Sequence, residues 1–182
     1  MTRAFLHSAL LLTIAVLPLQ AAPQAIAPST TSASASTVLT AAEAGKLLPS
    51  SVFFHGQSAP VQTRNSAGVR LAKDSYVLAA LVDNSGYSSQ VQQKYQAYLI
   101  TEEPIGLGGH HLAPGAYGFG FIAGDLFLVM DIGGHDLFSI PSTKDESLHR
   151  PTPLQILSAP EGNHHYRLYA GRNFIEFAPA AR

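Results

Sequence analysis

Seven histidines stand beyond the first ten residues of the chain: His55, His110, His111, His135, His149, His164 and His165. There is no cysteine, so imidazole and carboxylate are the side chains left to hold a transition metal, and zinc needs three or four of them converging. Two adjacent pairs, His110-His111 and His164-His165, and the neighbours His135-Asp136 supply candidates. Successive residues of a strand point to opposite faces. Each pair can therefore give one ligand to a given ion. The set that follows is His111, His135 and His164, with Asp136 as helper, and His110 and His165 are the alternates. A divalent metal is the one cofactor this pattern raises. Neither H-x-H nor H-E-x-x-H occurs, and histidines scattered over turns and surface are the plainer reading. Imidazole titrates near pH 6.5, which suits a pH sensor, but no histidine is singled out for that role.

Other chemistries find less. Gly86-Tyr87-Ser88-Ser89-Gln90 has the first glycine and the serine of a nucleophile elbow. Its fifth position is glutamine, where the strained turn needs a small residue. Ser88 reads as a turn residue. Asp83, Glu102, Glu103, Asp125 and Asp131 could pair for glycosidic cleavage, but nothing in their spacing selects two. The chain has no tryptophan, which removes the usual stacking platform for sugars. Gly106-x-Gly108-Gly109 and Gly115-x-x-Gly118-x-Gly120 lack the following helix that a phosphate cradle needs. No catalytic residue is assigned.

The elements that must position these residues begin after an export signal. Arg3 is the only charge before Glu43, residues 9–17 are almost wholly apolar, and Pro18 precedes the small residues Ala21 and Ala22. That order is the signal-peptide pattern, with cleavage expected after Ala21. The apolar stretch 9–19 covers about 16 Å of helix, against about 30 Å of hydrocarbon core, so it is too short to span. No later segment is long and apolar enough either, so no membrane insertion of the mature chain is expected. Residues 22–37 are uncharged, rich in Ala, Ser, Thr and Pro, and read as a flexible linker. Residues 38–182 are then one domain, large enough to fold on its core without disulfides. Without Arg3, the remaining 10 Lys and Arg face 12 Asp and Glu. No basic run tracks phosphates, so nucleic acid is not an expected partner.

Thr40 and Glu43 stand at capping-box spacing ahead of Pro49 and predict one short N-terminal helix. Strands are expected at 51–54, 61–63, 69–72, 76–82, 95–101, 116–122, 126–132, 136–140, 154–158, 165–170 and 173–177, with a turn at Asn65-Ser66. A helical turn is expected at 89–94, and residues 141–153 read as a mobile loop. Residues 116–122 and 126–132, joined by Ala123-Gly124-Asp125, make the firmest hairpin. Tyr117, Phe119 and Phe121 share one of its faces. Gly118 and Gly120 lie on the other, where a second layer or a ligand can come close. Leu107-Gly108-Gly109-His110-His111-Leu112 is echoed by Ile132-Gly133-Gly134-His135-Asp136-Leu137. Each copy is expected to end a strand on its glycines and restart on an inward leucine. Many short strands predict an all-β antiparallel sandwich or barrel.

The stretch Ile105-Gly106-Leu107-Gly108-Gly109-His110-His111-Leu112-Ala113-Pro114-Gly115-Ala116-Tyr117 resembles the strand–turn–"L-x-x-G-x-Y" hairpin of small secreted bacterial β-sandwich domains of the DUF2911 type. The resemblance implies a secreted sandwich and carries no functional residues. Taken together, the expectation is a secreted or periplasmic, non-enzymatic binding or interaction domain of the cell envelope, with an unidentified protein or small ligand as partner. Two alternatives stand beside it. One is a metal-binding protein or metal-dependent enzyme using the histidine set. The other is a carrier of a small apolar ligand inside a barrel, supported by the glycine-rich face of 116–122.

Overall fold

The structure is a computed structural model that describes residues 36–72, 75–162 and 164–180. The expected signal peptide, and the expected linker as far as residue 35, lie outside those residues. The first part of the described chain forms β1 (Thr37–Leu39), α1 (Ala41–Leu47), β2 (Ser51–Phe54), β3 (Gln57–Ala72), β4 (Ser75–Val82), α2 (Ser89–Lys94) and β5 (Ala97–Thr101). Then come β6 (Ile105–Leu107), β7 (His110–Leu112), β8 (Gly115–Ile122), β9 (Leu126–Met130) and β10 (Asp136–Pro141). The chain ends with β11 (Thr143–Lys144), β12 (Gln155–Ser158), β13 (Tyr166–Ala170) and β14 (Asn173–Pro179).

These strands build two antiparallel sheets. Sheet I runs β1-β3-β4-β5-β8-β9-β10, with β2 paired to β3. Sheet II runs β12-β13-β14-β6-β7, with β11 paired to β14. Neither sheet closes on itself. The fold is a sandwich, and the expected barrel alternative is set aside. Val77, Leu99, Phe119 and Phe127 of sheet I meet Ile105, Leu168, Ile175 and Phe177 of sheet II in the main core. Apolar area removed from water at about 25 cal/mol per Å² is what holds the two layers together.

Sheet I is covered on its other face as well. Helix α1 lays Ala44 against Leu78 and Ala80. Strand β2 and the tyrosines around α2 bury Phe54, Tyr87 and Tyr95 against Leu128 and Met130. This is why Tyr76–Val82 reads as an unbroken apolar run: a strand buried on both faces has no polar side to present. It also explains the glycines of β8. A Cβ on Gly118 would overlap the Phe54 ring, and one on Gly120 the carbonyl of Lys94. The second layer expected over that face is present, and it is made of β2 and α2.

Helix α1 has both halves of its capping box. Thr40 Oγ1 accepts the Glu43 N–H, and Glu43 Oε2 accepts the Thr40 N–H at 2.8 Å. The expected hairpin of 116–122 and 126–132 is β8–β9, paired from Gly118↔Met130 to Ile122↔Leu126.

Other expectations give way. There is no turn at Asn65-Ser66; one strand, β3, runs through it, and its pairing with β4 shifts between Val61 and Ser66. The polar residues there are satisfied inside the irregularity, because Ser66 Oγ reaches the carbonyls of Thr63 (2.7 Å) and Ala41 (2.9 Å). The loop after Pro141 is tethered: β11 pairs with β14, and Arg172 Nη1 donates to the carbonyls of Glu146 (3.1 Å) and Leu148 (2.6 Å). The second glycine turn restarts on an exposed Leu137, whereas Leu112 after the first is buried. Between Asp136↔Met130 and Phe138↔Val129 the register shifts, so Leu137 is the extra residue of a bulge and turns outward.

Candidate binding site at the β2–β3 and β9–β10 turns

The connection from β2 to β3 is His55 and Gly56, with φ of 47° and 85°. Positive φ at both positions is the type I′ geometry of a two-residue hairpin, usually made by Asn-Gly. Here histidine takes the first place, and its ring is put to use. The His55 N–H donates to Ile132 O (2.8 Å), and its Nδ1 donates to Gly133 O (2.9 Å). Nε2 is then the acceptor nitrogen of the neutral ring. Gly134, at φ 87°, lies against that ring, where a Cβ would collide with it. The β2–β3 turn is thus clamped onto the β9–β10 turn.

Asp131 shapes the second turn. Its Oδ1 accepts the His135 N–H at 2.9 Å, and its Oδ2 lies 3.0 Å from His135 Nδ1. Gly134 N–H donates to the Asp131 carbonyl (3.0 Å). The His135 backbone and ring N–H groups hold the Asp131 carboxyl below its ordinary range.

Helix α2 forms the third wall. Ser88 is its N-cap and accepts the Val91 N–H. Lys94 Nζ, in the last turn, is 2.6 Å from Asp136 Oδ2, with both side chains about half exposed (47% and 45%). Tyr87 OH lies 3.0 Å from Phe54 O and bonds the start of α2 to β2. Beneath, the Phe54 and Tyr95 rings stack at 3.7 Å and 14°. Burial pushes the ionisation of Tyr95 far above the ordinary phenol range.

Between the three walls is a hollow of about 460 Å³. Phe54, Val91 and Met130 give it an apolar floor, and His55, Gln90, Gln93 and Lys94 stand on its polar rim. The arrangement can bind an apolar body while offering a cation, amide hydrogen bonds and an imidazole acceptor to its polar end.

The residues expected from the sequence are dispersed. His135 ends the β9–β10 connection and Asp136 opens β10, both beside the hollow, but Nδ1 of the first is engaged by Asp131 and the carboxylate of the second by Lys94. His111 is exposed on β7, while its neighbour His110 stacks on Phe138 at 4.3 Å. His164, at φ 65°, bonds the Ser36 hydroxyl through Nδ1 at 3.0 Å. Among the described residues no group of three or more His, Asp or Glu side chains is placed to hold a metal ion. Two of the acids considered for glycoside chemistry are used locally: Asp83 accepts the Ser85 N–H and Glu102 the Tyr76 N–H. His55 and Lys94 were missed. Their visible signal was a His-Gly pair in hairpin position between Phe54 and Gln57, and a lysine ending a predicted helical turn.

The chain matches no protein-family model, no curated protein and no solved structure.

Proposed function

We propose that the chain is an exported binding domain of the cell envelope, not an enzyme, and that it takes a small amphipathic anion in the hollow between α2 and the β2–β3 and β9–β10 turns. One observation carries this reading: an apolar floor under a rim of convergent polar groups, in a hollow whose about 460 Å³ falls in the range of small-ligand sites. The hydroxyl and imidazole groups nearby support binding over catalysis. Ser88 Oγ is committed to capping α2 and His55 Nδ1 to the Gly133 carbonyl. Lys94 selects the charge of the ligand, which displaces Asp136 from it. The basic-apolar-small order of the first residues supports export. So does the resemblance of residues 105–117 to secreted sandwich domains.

The absence of tryptophan makes the test direct. Gln90→Trp places a single tryptophan on the rim. Titration with benzoate and phenylacetate is expected to change its fluorescence saturably. Lys94→Met should remove the response and Asp136→Asn should strengthen it, because the ligand then has no competitor for the ammonium. A flat titration, or an unchanged response in Lys94→Met, would sink the reading.

A further inference from the structure

Strand β3 leaves its regular ladder with β4 between Val61 and Ser66. A break of this kind re-aims side chains that a regular strand would point elsewhere. Most polar side chains within it are spent on holding it in place. Gln62 Nε2 donates to Val82 O (3.2 Å), and Asn65 Nδ2 donates to Gln62 Oε1 (2.9 Å). Ser66 Oγ ties the Thr63 carbonyl to that of Ala41 in α1. Arg64 has no such task. It is exposed, and among the described residues nothing accepts a hydrogen bond from its guanidinium or pairs with its charge.

Helix α1 comes down directly on the break. A Cβ on Gly45 would lie 2.9 Å from Thr63 O, so a residue that costs helix stability is what lets the helix close in. The next residue, Lys46, thereby reaches the hollow that Arg64 lines. That hollow is about 460 Å³ and is walled by Ala41, Ala42, Gly45, Lys46, Thr63 and Arg64. Lys46 is exposed and forms no ion pair among the described residues. Glu43, the acid of α1, turns its carboxylate to the Thr40 N–H and hydroxyl, each at 2.8 Å. On its other side Arg64 lines a second hollow, of about 420 Å³, against β1 and β12. No aspartate or glutamate lines either one. Lys94, Lys144 and Arg167, by contrast, each hold a carboxylate, at 2.6, 2.7 and 2.8 Å.

We propose that the hollow between α1 and the β3 break binds the dianionic head of a phosphate monoester, carried by a lipid or by a soluble molecule. Two unmatched positive charges on one hollow fit an anion that bears two negative ones. A guanidinium grips two oxygens of a tetrahedral anion at once, and an ammonium takes another as a point charge. The exposed Thr63 hydroxyl adds a donor. The methyl groups of Ala41 and Ala42 offer an apolar side to the carbon of the ester. No residue lining this hollow lines the one beside α2, so the two sites stand or fall separately.

The test titrates methyl phosphate into ¹⁵N-labelled protein at about pH 8, where the monoester is a dianion, and at fixed ionic strength, so that general screening stays constant. The amide signals of Gly45, Lys46, Thr63 and Arg64 are expected to shift saturably, with a dissociation constant of about a millimolar. Dimethyl phosphate, with one charge, should bind about tenfold more weakly. Lys46→Gln and Arg64→Gln should each weaken methyl phosphate by about tenfold, whereas Arg64→Lys keeps the charge and most of the binding. These are surface substitutions, and an unchanged circular dichroism spectrum checks that each variant is folded. Phosphatidylcholine vesicles containing phosphatidic acid identify the source. Co-sedimentation that is lost in Arg64→Gln assigns the site to a lipid head, and its absence beside saturable methyl phosphate binding assigns it to a soluble monoester. The proposal is overturned by an absence of saturable shifts at about 10 mM methyl phosphate, by equal affinity for monoester and diester, or by full binding in the variant carrying both Lys46→Gln and Arg64→Gln.

Discussion

At the scale of the residue, His55 bears the most. With φ of 47° it occupies a region that a side chain enters at a cost of about 1–2 kcal/mol. Two bonds to the β9–β10 turn, from its N–H to Ile132 O and from Nδ1 to Gly133 O, offset that cost. Asparagine tolerates the same backbone better than alanine does. Thermal unfolding should therefore rank wild type above His55→Asn, and His55→Asn above His55→Ala. The alanine variant should lose about 1–2 kcal/mol. An alanine variant as stable as wild type would show that the clamp contributes nothing. Sequence reasoning ranked histidines by adjacency to one another, which located His135 and Asp136 beside the hollow but passed over His55. Its partner turn is far along the chain, and a clamp between distant turns leaves no local pattern. The glycines of β8 were legible for the opposite reason. Alternation with Tyr117, Phe119 and Phe121 fixes their face, and only their partner had to await the fold.

Elements held by local contacts were the ones that could be read. Helix α1 is announced by Thr40 and Glu43, because a capping box is made within four residues. Helix α2 and the β8–β9 hairpin are similar cases. The continuous β3 was not legible: Asn65-Ser66 has turn composition, and its hydroxyl is satisfied by Ala41 and Thr63 only once α1 has docked. The N-cap gives a prediction for α1. Thr40→Ala removes the acceptor of the Glu43 N–H and should cost about 1 kcal/mol at pH 7. The Thr40 N–H and hydroxyl hold the Glu43 carboxyl below its ordinary range. A carboxylate with a lowered native pKa stabilises the fold above its unfolded value and stops doing so as pH falls through the native one. Urea unfolding at about pH 3 should then show a smaller penalty for Thr40→Ala than at pH 7. An equal penalty at both would mean that the bond from the Thr40 hydroxyl to the Glu43 carboxylate contributes nothing.

The whole molecule sums several such groups. Hydrogen bonds from Thr40, Ser85, His135 and Ser147 respectively hold the carboxyls of Glu43, Asp83, Asp131 and Asp145 below their ordinary range. All four signs agree. The melting temperature should be nearly level from neutrality down to about pH 5, then fall as the carboxylates take up protons below about pH 4. A melting temperature that rises on acidification would contradict the assignment. The sandwich itself was legible from short alternating strands and regular turns. The order of its strands was not, because strand order is set by pairings that local patterns do not encode. That order puts β14, the last strand among the described residues, at the centre of sheet II, between β13 and the two strands that share its other edge. Without β14, the pairs β6–β7 and β12–β13 have nothing to join them. Half the sandwich waits for residues 173–179, and the apolar face of sheet I waits with it. The topology makes residues 173–179 the piece that closes sheet II.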